Sequence, residues 1–361
     1  MSTDTPLIRI CKRIIGSCKR AGIKKYSSKY SNRLYDNYQH LVLEVLKQKF
    51  GSGYVAFIEE ELIELPHIVE FLKLKSIPHP DTLNKFAKRI KQSILELILL
   101  QSTARTGIKK LVLGQDGTGF KSKKISHYYI FRIEYFQRKN KKKRKRGRPR
   151  TKRRKKKYIY VQIMVELRTQ MPIAVSISRK PADDYNKFAP VAKKVIKLGK
   201  DIKLVVLDKG YDAEHVHEFI REVLGAESII PARNENVAIH KTKGRYRKQM
   251  KRGYSKKKYH QRSKNETVNS VVKRKWGDGT LALSWRNQNK EIIFRLILYA
   301  ARRFTSLVFL CPKKLPCNFW DTKNFLSFFV FPKKHNSSSE ERGILCFFRG
   351  RISVEPNYRK V

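Results

Sequence analysis

Three acidic residues stand out by their positions in a chain that is otherwise strongly basic. Asp116 ends the apolar run Leu111-Val112-Leu113-Gly114-Gln115, and Asp208 ends Leu204-Val205-Val206-Leu207. Each is followed by a glycine within two residues. In an α/β sheet, ligand sites lie outside the carboxyl ends of strands. If these two strands are neighbours, both carboxylates emerge on one edge. A single aspartate at a strand end is most often a cap or turn residue, so the pair alone is suggestive. Glu266 is the sharper signal, because it is the only acid between Val237 and Trp276. A helix over residues 259–275 places Tyr259, Arg262, Glu266 and Lys273 at about 0°, −60°, −20° and −40° around its axis. The four share one face, and Val268, Val271 and Val272 point the other way. The bland alternative is an amphipathic helix with a solvated face. A lone carboxylate among cations and a phenol instead suits a metal ligand flanked by phosphate-binding groups. Three such carboxylates would make a hard-cation site, and magnesium prefers oxygen ligands while keeping several waters.

The elements needed to hold these residues are legible in the hydrophobic pattern. The run 111–117, the segments 158–167 and 172–178, and the short runs 203–207 and 228–231 read as strands. Residues 187–198 and 213–224 read as helices between them. Three strands, helix, strand, helix, strand implies an α/β fold, a mixed five-stranded sheet flanked by helices. The helix 259–275 and a long apolar helix over about 289–304 follow. Upstream, residues 1–104 are helical in pattern. Leu34, Tyr38, Leu41, Val42, Val45 and Leu46 fall at helical spacing within 32–50, a second helical stretch covers 54–74, and Asp81 is placed to cap a helix within 77–91. A helix-turn-helix-like module and a plain helical bundle fit this part equally well. Among other polar groups, Asp183-Asp184 and Asp212 read as helix caps. Glu134 and Glu166 are spare ligand candidates, and His215 and His217 are core or surface histidines.

The composition restricts the partner. The 361 residues include 82 Lys and Arg against 30 Asp and Glu, a net charge of +52, with 40% hydrophobic residues. That is enough apolar mass for a core, and the self-repulsion calls for a polyanion. Nucleic acid is the first candidate and an anionic membrane surface the second. No apolar run is long enough to span a bilayer, and the five cysteines show no metal or disulfide spacing, which points to a reducing, intracellular setting. Sixteen basic residues crowd into 138–157. Within this insert Gly147-Arg148-Pro149-Arg150 has the narrow, extended form that fits an A·T-rich minor groove through Arg148 and Arg150, although a generic polycation would produce it equally well. A second acid-free stretch, 241–264, leads directly into Glu266. Residues 305–361 show no consistent period.

The spacing Tyr259-x2-Arg262-x3-Glu266-x6-Lys273 resembles the signature of prokaryotic insertion-sequence DDE transposases. Asp116 in LVLGQDGTGF and Asp208 in VVLDKGYD resemble that family's two catalytic aspartates, and residues 285–304 are similar to its closing helix. The resemblance covers about 77–304. It implies a ribonuclease-H-like catalytic domain over 105–304; the helical pattern of 1–104 makes a separate N-terminal domain, a candidate for DNA binding, and the tail over 305–361 has no counterpart in the family. It further implies that Asp116, Asp208 and Glu266 hold two Mg²⁺, with Mn²⁺ as a substitute, for cleavage of transposon ends and 3′-hydroxyl strand transfer. Tyr259, Arg262 and Lys273 would contact DNA. The implied partners are double-stranded transposon-end and target DNA, with no membrane, a homodimer in the active complex, and a cytoplasmic, nucleoid-associated location. Two other functions share many of these features: a catalytically inactive transposase-derived DNA-binding protein, and a host nuclease on the same fold.

Overall fold

The computed structural model describes residues 4–30, 32–104, 106–122, 135, 158–179 and 184–310. The basic insert with Arg148 and Arg150, Glu134, Asp183 and the tail beyond residue 310 lie outside these residues.

The chain begins with helices whose ends are set by local chemistry. Helix α1 (Pro6–Arg20) starts with proline at its first turn, and the Thr5 hydroxyl accepts from the Ile8 amide. Helix α2 (Asn37–Phe50) opens on a capping box formed by Asp36 and Gln39 and closes on Gly51 at φ 74°. That cap explains why residues 32–36 stay outside a helix that the apolar spacing extends over them. The stretch 54–74 is not one helix. A short turn, Tyr54–Ala56, runs into a π-helical turn, Phe57–Glu61, and α3 (Pro66–Phe71) begins afresh at a proline that cannot continue the preceding ladder. Helix α4 (Pro80–Arg89) is capped by His79, whose Nδ1 accepts from the Asp81 amide, so Asp81 sits in the first turn rather than at the cap. Pro80 takes the first helical position and shifts the cap back. Helix α5 (Gln92–Ala104) completes the helical part.

The sheet follows. Strands β1 (Lys110–Ser122), β2 (Tyr158–Glu166) and β3 (Met171–Ser178) pair antiparallel in sequence order. After α6 (Asp184–Ile196), β4 (Asp201–Val206) pairs parallel with β1. Helix α7 (Glu214–Glu218) and a π-helical turn, Phe219–Val223, lead to β5 (Glu227–Ile229), parallel to β4. Three helices come next: α8 (Arg245–Arg252), α9 (Lys256–Tyr259) and α10 (Ser263–Trp276). A two-residue strand, β6 (Gly279–Thr280), joins the far end of β1, and α11 (Trp285–Leu310) closes the described chain. The sheet order is β3-β2-β1-β4-β5 with β6 beside β1, so among the described residues it has six strands rather than the expected five. Two residues carry no periodic signal, which is why β6 is invisible in the sequence.

One hydrophobic cluster joins α1, α2, α4 and α5 to α10, α11 and one face of β1–β3. A second cluster covers the opposite face with α6 and α7. The helical part and the sheet therefore share a core, and the long α11 packs against α1, α2 and α5 at its centre. Among the described residues no helix is long and apolar enough to cross a membrane.

Candidate active site

Strand β1 is longer than its apolar run suggests, because beyond Gly114 it leaves β4 and continues along β2. Asp116 is thus a mid-strand residue paired with Ile163, not a strand end. Its relation to Asp208 is nevertheless the expected one. The last parallel pair is Gly114↔Val206, and each aspartate lies two residues past it, Asp116 within β1 and Asp208 just beyond the end of β4. Asp208 caps a 3₁₀ turn, Lys209–Tyr211, accepting from the Lys209 amide at 2.8 Å.

Glu266 enters from α10. The helix expected over 259–275 is broken: α9 ends at Tyr259, and His260–Arg262 forms a single 3₁₀ turn before α10 begins. The break leaves Arg262 between two acids. One guanidinium nitrogen lies 2.8 Å from Glu266 Oε1 and the other 3.8 Å from Asp208 Oδ2. The Asp208 and Glu266 side chains are about half exposed, at 48% and 55%. Asp116 is more enclosed. Burial raises its carboxyl above the usual range, and Glu266 adds to this, against the opposing effect of the Gly117 amide, the Asn269 side chain and Arg262. Asn269 Nδ2 donates to Asp116 Oδ2 at 2.9 Å. Burial works against the charge of Arg262, but Asp208, Glu266, Tyr259 and Asp116 outweigh it and raise its pKa. All three predicted acids therefore act on one guanidinium. Among the described residues no three His, Cys, Asp or Glu side chains form a cluster ready to hold a metal; the cation between Asp208 and Glu266 is Arg262.

The other signature residues flank this centre. Tyr259 packs edge-on to Tyr254 at 5.5 Å, and burial with the nearby Asp208 charge raises its hydroxyl pKa. Lys273 Nζ lies 5.4 Å over the Phe120 ring, and burial lowers its ammonium pKa against the attraction of Asp278 and Asp116. Asn265 and Asn269, buried on the same helix, carried no signal in the sequence. Their buried side-chain atoms Asn265 Nδ2, Asn265 Oδ1 and Asn269 Oδ1 have no hydrogen-bond partner.

A fourth acid reaches the cleft. Asp184, in the first turn of α6, accepts from Gln162 Nε2 at 2.6 Å, and Gln162 Oε1 accepts from the Tyr211 hydroxyl at 2.6 Å. Asp184, Asp116 and Asp208 all act electrostatically on Tyr211, adding to the burial that raises its pKa well above the usual value. The glycines beside the two aspartates make room for this network. A Cβ on Gly117 would stand 2.8 Å from Gln162 Nε2, and one on Gly210 would stand 2.8 Å from Asp184 Oδ2. Close approach, not positive φ, is what these glycines supply.

Three other acids do work that the sequence does not show. Asp212 does not cap α7, whose cap residue Ala213 makes no side-chain bond. Instead its buried carboxylate accepts from Arg247 Nε and Nη2, both at 2.8 Å, and from the Arg233 amide at 2.9 Å. Glu214 accepts from the Tyr246 and Arg247 amides at the start of α8. Glu166 closes the β2–β3 turn through Thr169 and Arg168 and is no spare ligand. His217 is a buried core histidine bonded to Ser228.

Residues 110–302, more than half of the chain and the span that holds every one of these groups, match the transposase DDE domain. The chain belongs to the transposase DDE domain family. Among solved structures this transposase is similar to the piggyBac transposase in a synaptic complex with hairpin DNA, at 10% identity and a TM-score of 0.42, over 86% of this chain and 75% of that one. So distant a likeness carries no argument here. A search of curated proteins gives no match.

Proposed function

We propose that this transposase cuts DNA at transposon ends and joins the freed 3′-hydroxyl to target DNA, using Asp116, Asp208 and Glu266. The observation that carries the reading is the convergence of these three carboxylates on Arg262, inside the family-matched span. The sheet order, three antiparallel strands followed by two parallel ones, supports a ribonuclease-H-like domain behind it.

The donor set is carboxylate oxygen with no sulfur or imidazole, which suits Mg²⁺ or Mn²⁺. Asp116, Asp208 and Glu266 are the residues that would hold it, two ions in the reading the signature implies. When bound, the metal supplies charge neutralisation and an activated water for phosphoryl transfer. The protein's own groups do the rest. Arg262 neutralises the acids in the free protein and turns to a backbone phosphate when DNA arrives. Lys273, beside Asp116, and Tyr259, beside Asp208, bind phosphates on either side of the cleaved bond. The basic stretch 241–264 leads the duplex in, and catalysis is mostly positioning and electrostatics. The same reading gives a prokaryotic insertion-sequence enzyme, acting on the nucleoid in the cytoplasm as a homodimer.

The test is nicking of a duplex carrying the element's terminal inverted repeat. Nicking that requires Mg²⁺, is lost in Asp116→Ala and Glu266→Gln, and leaves DNA binding intact is the expected result. Binding without nicking in the unaltered protein would make it a transposase-derived DNA-binding protein instead.

A further inference from the structure

Away from the acidic cleft, the helical part of the chain forms an open pocket of about 360 Å³ between residues 26–37 and helices α2 and α4. That falls within the ~300–1,000 Å³ typical of small-ligand sites. It opens to solvent, and its size and aromatic walls suit an occupant that enters from outside.

The walls say which kind. Tyr26, Tyr35, His40 and Phe86 line the cavity, with the exposed cations Lys85 and Arg89 one helical turn apart on α4. His40 stacks on Phe86 at 4.7 Å with 13° between the planes, and Tyr35 meets His40 edge-on at 5.6 Å. The Arg89 guanidinium stands 5.8 Å from the Phe86 ring centre. His40 Nδ1 is 3.0 Å from the Asp36 carbonyl, which fixes the N–H on that side. Nε2 is then a lone pair, buried without a partner. The approach segment, Lys24-Lys25-Tyr26 through Arg33-Leu34-Tyr35, interleaves cations with tyrosines. Aromatic faces for a base and cations for its phosphates are the two elements of single-strand nucleic-acid recognition. A paired base stays within the duplex stack and cannot enter such a cavity, whereas an unpaired one can.

We propose that this cavity takes up one unpaired nucleotide of the bound DNA, its base against Tyr35 and the His40–Phe86 stack and its phosphates on Lys85 and Arg89. The proposal rests on the DNA-binding reading above and adds a second contact site to it.

The experiment uses the full-length protein and fluorescein-labelled duplexes containing one 2-aminopurine, either in a single-nucleotide bulge or paired with thymine. Fluorescein anisotropy reports binding and 2-aminopurine emission reports stacking. The expected result is quenching of the bulged base only, with the bulged duplex preferred by about 5- to 150-fold, the worth of one stacked base. Tyr35→Phe, which loses only the hydroxyl contact to Ser76, should keep both effects, and Tyr35→Ala should lose both. If Tyr35→Ala melts early by circular dichroism, Tyr26→Ala, at another half-buried tyrosine of the lining, takes its place, with the same loss expected. Equal quenching of paired and bulged bases, or a response that survives the alanine variants, overturns the proposal. Competition by free 2-aminopurine deoxyribonucleoside monophosphate as strong as that by the bulged duplex also overturns it, in favour of a free-nucleotide site. Duplex binding with a silent 2-aminopurine sinks this proposal alone, while failure to bind either duplex sinks the transposase reading with it.

Discussion

At the scale of single residues, Asp184 links α6 through Gln162 and Tyr211 to the turn that Asp208 caps. Its carboxylate, the Gln162 amide and the Tyr211 hydroxyl form one hydrogen-bonded chain from α6 across β2 to the turn after Asp208. Groups that orient metal- or phosphate-binding side chains are worth about 10–100-fold in activity when removed. Asp184→Asn should therefore fold and bind DNA normally but nick 10–100-fold more slowly in single turnover. Gly210→Ala drives a methyl towards Asp184 Oδ2, at 2.8 Å. It should slow nicking to a similar degree and cost about 1–3 kcal/mol of stability through overpacking. Wild-type rates in both variants would show that the network is idle. The sequence made the three principal acids visible because carboxylates are scarce in this chain, and the helix spacing singled out Glu266. It could not reveal Asp184 or Asn269 in the same way. An aspartate at a helix start and an asparagine between Val268 and Ser270 are ordinary residues until another element is known to face them.

At the scale of elements, the basic stretch that leads to Glu266 is held by two acids of the segment after β4. Asp212 grips Arg247 and the Arg233 amide, and Glu214 caps α8. Burial raises the Asp212 pKa, but the Arg247 and Arg233 hydrogen bonds outweigh it and hold the carboxyl below the usual range. A depressed carboxyl stabilises the fold above the unfolded-state value, about 3.9, and that contribution is lost as pH falls through the lower folded-state value. With 1% of the Asp212 side chain and 23% of Arg247 exposed, removing one partner leaves a largely buried charge unpaired. Asp212→Ala should cost about 3–5 kcal/mol at pH 7. Urea midpoints should show that deficit shrinking towards pH 3, and a constant deficit would mean that packing, not charge, is what the carboxylate supplies. The expected helix 259–275 shows what element-level reading misses. Of its face, Arg262 and Glu266 do meet, but the helix is interrupted by a 3₁₀ turn at His260–Arg262, where Arg262 also faces Asp208, a long-range contact that no local pattern encodes. The break in 54–74 was legible in principle, since Pro66 stands within it.

At the scale of the whole molecule, charge and core are organised independently. The core is shared between the helical part and the sheet, whereas the sixteen basic residues of 138–157 leave +36 of the +52 spread over the rest of the chain. A charge distributed in this way should bind duplex DNA at many phosphates, each released counterion adding about −0.9 to the slope of log K against log salt. Deleting residues 138–157 should make that slope shallower by several units and weaken binding most at low salt. Asp116→Ala should leave the slope unchanged, because a carboxylate in the cleft releases no counterion from DNA. Measured by anisotropy between about 50 and 200 mM salt, the range over which phosphate-dominated binding changes most visibly, an unaltered slope in the deletion would show that the insert makes no phosphate contact. Its charge would then serve something other than duplex affinity, and the stretch 241–264, fixed beside Glu266 by Asp212 and Glu214, would be left as the principal path by which DNA reaches the three acids.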